Sequence, residues 1–436
     1  MADSIRTRAN CHRLRGPTDQ PNVAPPLGVQ PRRGIRGEML FLSFLLLVSS
    51  PLTRAAEPVG EISPQEGAVA EDFAPLPETE GEVQSLFPVL IAIGTHFGYD
   101  SNPRTGGTDQ GAWFSSQELT LSYNRLRGPT EIESVAGVEA AERFGVNTTV
   151  NAFLNLSATH AVSPRLTLAG TIDFAYRSEP DFTTNLGPDQ RRGNYYTSTD
   201  RVSATYQWTE RLASVTSFNF RLLRYEDSSV ALFTDREEYT FGEEFRFDLD
   251  SQTVLLANYR FLLVNYDTFP RDSTTHVLLA GVEETFSPRL KAQVLAGASF
   301  RSFEQGENSI NPSFESSVEY ELPRNSSLSW LVNYSVAEPS VQQAQNRTTF
   351  RTGLQFRYGI TPRLSSTLGV SYHHDDTTGG TTAATAGPAF TRNAYDFTLT
   401  SRYQFSRHWD FDVSYQRTEV NSGGPDQSYS RNRYSV

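Results

Sequence analysis

Long runs of alternating apolar and polar residues dominate the sequence from Val89 onward. Between Leu166 and Tyr176, large apolar side chains occupy alternate positions, and Thr, Ala and Asp occupy the positions between them. The same period of two returns over residues 314–322, 350–358 and 395–403. Because successive side chains of a β-strand point to opposite faces, each segment predicts a strand with one apolar and one polar face.

The length of these segments constrains the fold further. They run about ten to fourteen residues, whereas strands of soluble globular proteins usually have about five or six. A tilted strand needs about 9–11 residues to cross a bilayer, and a helix needs about 20 apolar residues. Since only 37% of the residues are hydrophobic and no apolar run approaches that length, the sequence favours transmembrane strands.

The connections between the segments are of two kinds. Short turns with Pro or Arg, such as 163–165, 287–289 and 361–363, recur at intervals of roughly 36–46 residues. Outer-membrane barrels have this asymmetry, with short turns at one end and long loops at the other. A soluble sandwich, with turn signals every 8–12 residues or so, does not. The longer polar connections are predicted at 178–194, 226–235, 304–311, 338–346 and 376–391.

Aromatic residues supply an independent indication. The chain has 28 Phe, 19 Tyr and 4 Trp, and many of them stand near the ends of the predicted strands. Amphipathic rings favour the two membrane interfaces, so this placement predicts two aromatic belts. The belt near the short turns is predicted at Tyr123, Tyr206, Trp208, Phe247, Phe286, Tyr320, Tyr358, Tyr403 and Phe405. The belt near the long loops is predicted at Tyr99, Tyr176, Tyr225, Tyr266, Phe300, Tyr334, Tyr372 and Tyr415.

The short turns also give a strand count. Eight of them imply eight hairpins, and one strand before the first and one after the last bring the total to eighteen. The prediction is therefore an all-β fold, a transmembrane up-and-down antiparallel β-barrel of about 18 strands over residues 87–436. Sixteen strands stay open, because the alternation is blurred in the predicted strands 131–142 and 148–161. Outer-membrane barrels usually end on an aromatic residue, and this chain ends on Val436. Either the final strand is short, or a few C-terminal residues are missing.

The first 86 residues predict two further segments. Residues 1–56 carry eight Arg against three acidic residues, and a short apolar run lies at 40–48. With Thr53-Arg54-Ala55 after it, this pattern predicts a secretory signal peptide that is cut near Ala55 or Ala56, with a start upstream of Arg32. Residues 57–86 are acidic and contain Pro, which predicts a periplasmic tether. The chain's single Cys, at position 11, lies in the leader, so the barrel has no disulfide.

Two motifs carry a resemblance to a known family. Residues 93–103 (Ile-Gly-Thr-His-Phe-Gly-Tyr-Asp-Ser-Asn-Pro) open the barrel, and residues 429–433 (Tyr-Ser-Arg-Asn-Arg) lie in its last strand. Together with the Ser/Thr-Pro-Arg-Leu turns, they resemble the putative β-barrel porin 2 family of Gram-negative outer membranes, over about residues 87–436. The resemblance implies a barrel and residence in the outer membrane, and it carries over no catalytic or ligand residues.

The polar alternates indicate what the barrel does. Eighteen strands enclose a lumen wide enough for an aqueous channel. Charges on the inward face need water or a partner, which leaves two interpretations: a polar pore with a transverse field, or charges that pair across strands and stiffen the wall. Since acids and bases nearly balance, no strong ion selectivity is expected. The candidate lumen-lining residues are Arg221, Arg246, Arg260, Arg301, Glu315, Glu319, Arg351, Arg357, Asp396, Arg402, Asp410 and Asp412.

Other chemistry finds little support in the sequence. Glu243 and Glu284 lie on the apolar alternation near the short turns, where we expect them at the membrane interface. Residues 373–376 (His-His-Asp-Asp) are predicted to lie in a solvated loop, and neither a catalytic nor a metal site is predicted there. No cofactor is expected. A net charge of −12 without a basic stripe argues against nucleic acid.

The sequence therefore predicts a passive channel for small hydrophilic solutes rather than an enzyme. The alternative is a closed or accessory barrel for surface structure, adhesion or exopolysaccharide export. We expect the protein in the cell outer membrane, with its N-terminus in the periplasm and its long loops outside. The expected partners are outer-membrane lipid, the outer-membrane assembly machinery and small solutes.

Overall fold

One closed antiparallel sheet accounts for nearly all of the described part of the chain. The computed structural model describes residues 89–103, 111–178, 186, 193–339, 344–379, 389–423 and 428–436. The predicted leader at 1–56 and tether at 57–86 lie outside these residues. The strands pair in chain order, and β1 pairs with both β2 and β18, which closes the sheet into a barrel. The predicted up-and-down barrel of eighteen strands is confirmed, and the alternative of sixteen is wrong.

The strand bounds follow the alternation closely. The two strands whose alternation was blurred, β3 and β4, form in full, and β18 is short as expected. The strands are β1 Val89–Asp100, β2 Ala112–Arg127, β3 Thr130–Arg143, β4 Asn147–Ser163, β5 Leu166–Arg177, β6 Tyr195–Gln207, β7 Leu212–Tyr225, β8 Arg236–Asp248, β9 Thr253–Tyr266, β10 Ser273–Ser287, β11 Leu290–Phe303, β12 Ser309–Leu322, β13 Ser326–Ala337, β14 Ala344–Thr361, β15 Leu364–Gly379, β16 Phe390–Ser406, β17 Trp409–Ser422 and β18 Tyr429–Ser435.

The connection between β7 and β8, predicted as a polar loop, contains a short helix. This helix, α1, spans Ser228–Thr234, and the carboxylate of Asp227 accepts a hydrogen bond from the backbone N–H of Ser229 at 2.9 Å. Such a cap satisfies one of the backbone donors that the first turn of a helix leaves without a partner. Among the described residues, no helix is long and apolar enough to cross a bilayer.

The distribution of side chains is the reverse of that in a soluble protein. Outward-facing Ile93, Ile310 and Trp409 are 80%, 72% and 74% exposed, whereas inward-facing Arg301 and Arg431 are each 2% exposed. Burying charge while exposing large apolar side chains is unfavourable in water and favourable when the outer face meets hydrocarbon. The exposed apolar side chains of the strands therefore lie on the outside of the barrel, while β9–β11 also place the buried Leu256, Leu279 and Leu295 on the inside.

Aromatic rings cluster at both ends of the outer face. The ring centres of Tyr206 and Trp208 lie 4.7 Å apart near the short turns. The ring centres of Tyr372 and Tyr395 lie 5.0 Å apart toward the long loops. The prediction for Tyr266 is wrong, because its ring is 7% exposed and lies inside the barrel, where its hydroxyl bonds to Glu338. At the end of β9 the side chain follows the inward alternation rather than the outer belt.

The barrel closes through the two motifs that carry the family resemblance. Arg431 on β18 donates from Nε to Asp100 on β1 at 3.0 Å, with a second contact from Nη2. The backbone N–H of Asn432 donates to the side-chain Oγ of Ser101 at 2.8 Å, and the backbone N–H of Ser101 donates to the carbonyl oxygen of Asn432 at 2.9 Å. β18 pairs with β1 over only three residues, Gly98–Asp100, so these side-chain bonds reinforce a short ladder.

Gly98 is required at this junction by a close approach. A Cβ atom at position 98 would lie 2.0 Å from the carbonyl oxygen of Tyr434 and 2.6 Å from the ring of Phe114. Any larger side chain would therefore push β18 away from β1. The glycine in the N-terminal motif thus has a structural reason in the closure of the sheet.

The inverted faces lead to a stability prediction on β16. Leu399 points outward near the middle of the strand, and the adjacent Thr398 points inward. We expect Leu399→Arg to lower the free energy of unfolding by about 2–4 kcal/mol, because it places a charge in hydrocarbon near the midplane. Urea unfolding of the protein in phospholipid vesicles measures this loss.

Thr398→Arg is the matched control for this substitution. It adds the same side chain one residue away, where the guanidinium meets the polar lumen, so we expect a much smaller loss. Equal losses for the two variants would contradict the assignment of faces.

Candidate functional site

The lumen is the candidate functional site, because the inward face gathers the charged side chains. All twelve candidate residues lie on inward-facing positions of their strands. Among them, Arg260, Arg301 and Glu315 are 7%, 2% and 4% exposed. The others with small exposure are Arg351 and Asp396, at 4% and 7%, whereas Arg402 and Asp410 near the short turns are far more open.

Near the short turns, inward charges form a chain of ion pairs. Arg246 on β8 donates to Glu244 at 3.0 Å and to Glu283 on β10 at 2.8 Å. Lys291 on β11 reaches the other oxygen of Glu283 at 2.9 Å. Arg402 and Asp410 form a separate, exposed pair at 3.3 Å. This part of the wall is thus lined by neighbouring charges of opposite sign.

At mid-depth, one pair spans four strands of the wall. Arg260 on β9 donates from Nη1 and Nη2 to the two carboxylate oxygens of Glu315 on β12, at 2.6 and 3.0 Å. The two-point geometry of a guanidinium and a carboxylate makes this one of the stronger ion pairs available to a protein. Between these two strands, Val277 on β10 pairs with Arg260, and Ser299 on β11 pairs with Val277.

Toward the long loops, Arg271 joins three connections over one side of the lumen. From the β9–β10 connection it donates to the carbonyl of Ala344 at 2.7 Å and to that of Phe233 at 2.8 Å. Its guanidinium also stacks 4.5 Å from the centre of the Tyr266 ring. The described parts of the connections β7–β8, β9–β10 and β13–β14 are thereby held together. Phe233 packs against inward-facing Val264 and Tyr266, so this cover lies against the inner face of the wall.

Glu338 is the acidic partner in this cover. It lies just beyond β13, accepts from the hydroxyl of Tyr266 at 2.7 Å and pairs with Arg301. Burial by itself would raise the pKa of the Glu338 carboxyl, but Arg301, Arg236, the Tyr266 hydroxyl and Arg271 together hold that pKa below its ordinary value. Glu338 is therefore a carboxylate at neutral pH.

The prediction for residues 373–376 is wrong in part. β15 continues to Gly379, so His373 and Asp375 are inward-facing strand residues, 3% and 1% exposed, rather than members of a solvated loop. Asp375 accepts from Arg392 at 2.6 Å, and Arg347 lies 3.6 Å from the same oxygen. His373 shares a hydrogen bond of 2.6 Å with the other oxygen of Asp375.

Several of these residues were missed by the sequence prediction for different reasons. Arg347 and Arg392 share the inward alternation of Arg351 and Asp396, so the period of two could have found them if the strands had been extended. Arg271 and Glu338 lie in connections, where no periodicity marks them. Among the described residues, no group of three or more His, Cys, Asp and Glu is placed to hold a metal ion.

A cavity lies within the lumen against the wall from β6 to β14. It is lined by ion-paired side chains, by hydroxyl and amide side chains and by a few aliphatic ones. Leu186, from the β5–β6 connection, also lines it. The lining residues are Leu186, Thr199, Asn219, Arg221, Glu238, Thr240, Arg260, Leu262, Val264, Thr275, Val277, Ser299, Arg301, Ser313, Glu315, Asn333, Ser335, Val336, Ala337, Glu338, Thr349 and Arg351.

Comparisons with known proteins identify one family. A family model described as "Putative beta-barrel porin 2" matches residues 126–436. Among solved structures, OpdL of Pseudomonas aeruginosa is 13% identical, with 80% of this chain and 97% of that chain covered and a TM-score of 0.42. OccAB4 of Acinetobacter baumannii is 13% identical, with the same coverage of 80% and 97% and a TM-score of 0.41. OccK1 (OpdK) of Pseudomonas aeruginosa is 10% identical, again with 80% of this chain and 97% of that chain covered, and has a TM-score of 0.44. No curated protein matches the chain.

The buried position of Asp375 leads to a second stability prediction. We expect Asp375→Ala to lower the free energy of unfolding by about 3–5 kcal/mol, because it leaves the buried Arg392 and Arg347 without their shared carboxylate. The adjacent Asp376 is exposed and faces outward, so Asp376→Ala should change stability by less than about 0.5 kcal/mol. Urea unfolding measures both variants, and similar losses would contradict the inward placement of Asp375.

Proposed function

Because the chain belongs to the putative beta-barrel porin 2 family, as its sequence motifs predict, and is a porin-like channel of outer-membrane type, we propose that its lumen passes small hydrophilic solutes by passive diffusion. The family and the fold are those of a channel rather than of an enzyme. The proposal concerns what moves through the barrel and by which route.

One observation carries the proposal: the charged side chains lie on the inward face and the large apolar ones on the outward face. Charged groups on the inside of a membrane barrel are tolerated when they meet water or each other. Charged and polar side chains occur on the inward face from Arg431 near one end to Arg246 near the other, beside an apolar cluster of Leu256, Leu279 and Leu295, and they offer hydrogen-bonding groups to hydrated solutes.

Pairing of these charges does not argue against a pore. The ion pairs join residues on the same stretch of wall, as Arg246 on β8 and Glu283 on β10 do, or Arg260 on β9 and Glu315 on β12. Pairs that run along the wall stiffen it without crossing the lumen. The two interpretations that the sequence leaves open, an aqueous pore and a wall stiffened by paired charges, are thus compatible.

Conductance in planar lipid bilayers tests the channel. We expect the refolded protein to open steps of ion current, with permeabilities of cation and anion that differ by less than a few fold, because opposite charges are paired along the wall. A protein that inserts as a folded barrel and conducts no current would contradict the proposal and favour the closed or accessory barrel.

We further propose an orientation in the outer membrane. The N-terminus and the short turns lie in the periplasm, and the long connections, including the one with α1, face the outside, as in other outer-membrane barrels. In this arrangement outer-membrane lipid contacts the apolar face, and the outer-membrane assembly machinery inserts the chain.

Single cysteines test the orientation. Ser228 in α1 and Ser251 in the β8–β9 turn are both exposed, and they lie at opposite ends of the barrel. We expect a maleimide carrying a large polyethylene glycol chain to label Ser228→Cys on intact cells and Ser251→Cys only after the outer membrane is broken. Labelling in the opposite order would show that the orientation is reversed.

A further inference from the structure

We propose that the lumenal cavity favours zwitterionic solutes, small molecules that carry one anionic and one cationic group. The inference rests on the proposed channel function and names the class of solute that this channel prefers. It depends on how charge is arranged in the cavity, rather than on how much charge the barrel carries.

Three Arg–Glu pairs line this one cavity. Arg260 and Glu315 form the two-point pair, Arg301 pairs with Glu338, and Arg221 Nη1 lies 3.8 Å from Glu238 Oε2. Each pair presents a guanidinium and a carboxylate side by side to the same space. The cavity wall is therefore strongly dipolar although opposite charges largely cancel.

Such a wall discriminates by the form of the solute's charge. A solute with a single charge is attracted by the member of the pair that has the opposite sign. The neighbouring member has the same sign as the solute and repels it. A zwitterion meets the guanidinium with its carboxylate and the glutamate with its ammonium group, which replaces hydration of both charges at once. Fixed dipoles are in place before the solute arrives, so no reorganisation of the wall is needed.

Two buried acceptors in the same cavity also point to a ligand. Thr349 is 2% exposed, and its hydroxyl has no hydrogen-bond partner among the described residues; the Oδ1 atom of Asn219 is likewise buried without a donor. Both residues line the cavity. Buried polar atoms without partners are uncommon, and an ammonium group brings three N–H donors that can reach such acceptors.

The lining argues against sugars as the preferred solutes. Among the described residues that line the cavity, none has an aromatic side chain, and the apolar ones are Leu, Val and Ala. Sugar rings in protein sites commonly stack on aromatic faces, and the described lining offers none. The aliphatic residues, such as Leu262 and Val277, suit the short carbon chain between the two charges of a small amino acid.

A pair of isomers tests the proposal without a difference in size or net charge. β-Alanine is a zwitterion and lactamide is neutral, and the two have the same atomic composition. We expect proteoliposomes with the wild-type protein to swell faster in β-alanine than in lactamide. R260Q/E315Q removes one charge pair at constant net charge. In this variant we expect the ratio of the β-alanine rate to the lactamide rate to fall severalfold, by about tenfold at the largest, while the lactamide rate is unchanged.

R417Q/E419Q is the matched control. Arg417 and Glu419 form a pair of 3.2 Å on the outward face of β17, away from the lumen, so the ratio should stay as in the wild type. Heat-dependent electrophoretic mobility shows that each variant is a folded barrel. Equal rates for the two isomers in the wild type, an unchanged ratio in R260Q/E315Q, or an equal fall in the control would each overturn the zwitterion proposal. If neither isomer enters, the channel function itself fails.

Discussion

Closure of the backbone hydrogen-bond ladder is the constraint on which the rest of the structure depends. Inside hydrocarbon no water can satisfy an open sheet edge, so every strand needs a neighbour on both sides. The eighteen strands meet this requirement in chain order, and the contact between β1 and β18 completes it. Since that ladder is only three residues long, the bonds of Arg431 and Asn432 to the opening motif reinforce the point where closure is weakest.

Closure also fixes where charge can go. Once the sheet is closed, each strand has one face toward lipid and one toward the lumen, and a charged side chain is tolerated mainly on the second. Packing many charges onto one concave face brings them close together, so they pair: Arg260 with Glu315, Arg301 with Glu338, Arg392 with Asp375. The balance of acids and bases on that face is a consequence of keeping a crowded wall stable.

The strands and faces of the barrel wall can be predicted from the sequence, whereas the contacts that form the cover cannot. Alternation is a local property, so strands, faces and the position of Arg260 or Arg351 could be predicted from neighbouring residues alone. Arg271 contacts Phe233 and Ala344, which lie far from it in the sequence, and nothing in the local pattern marks that meeting. His373 and Asp375 are misplaced because β15 extends farther toward the long loops than the polar composition suggested. Tyr266 is misplaced because it follows the inward alternation to the end of β9.

The cover and the cavity share residues. Arg271 and Glu338 hold described parts of the β7–β8, β9–β10 and β13–β14 connections on the same side of the wall that carries the cavity. Because Glu338 and Arg301 belong both to the cover and to the cavity lining, a change in the contacts that hold the cover also changes the charges that line the cavity.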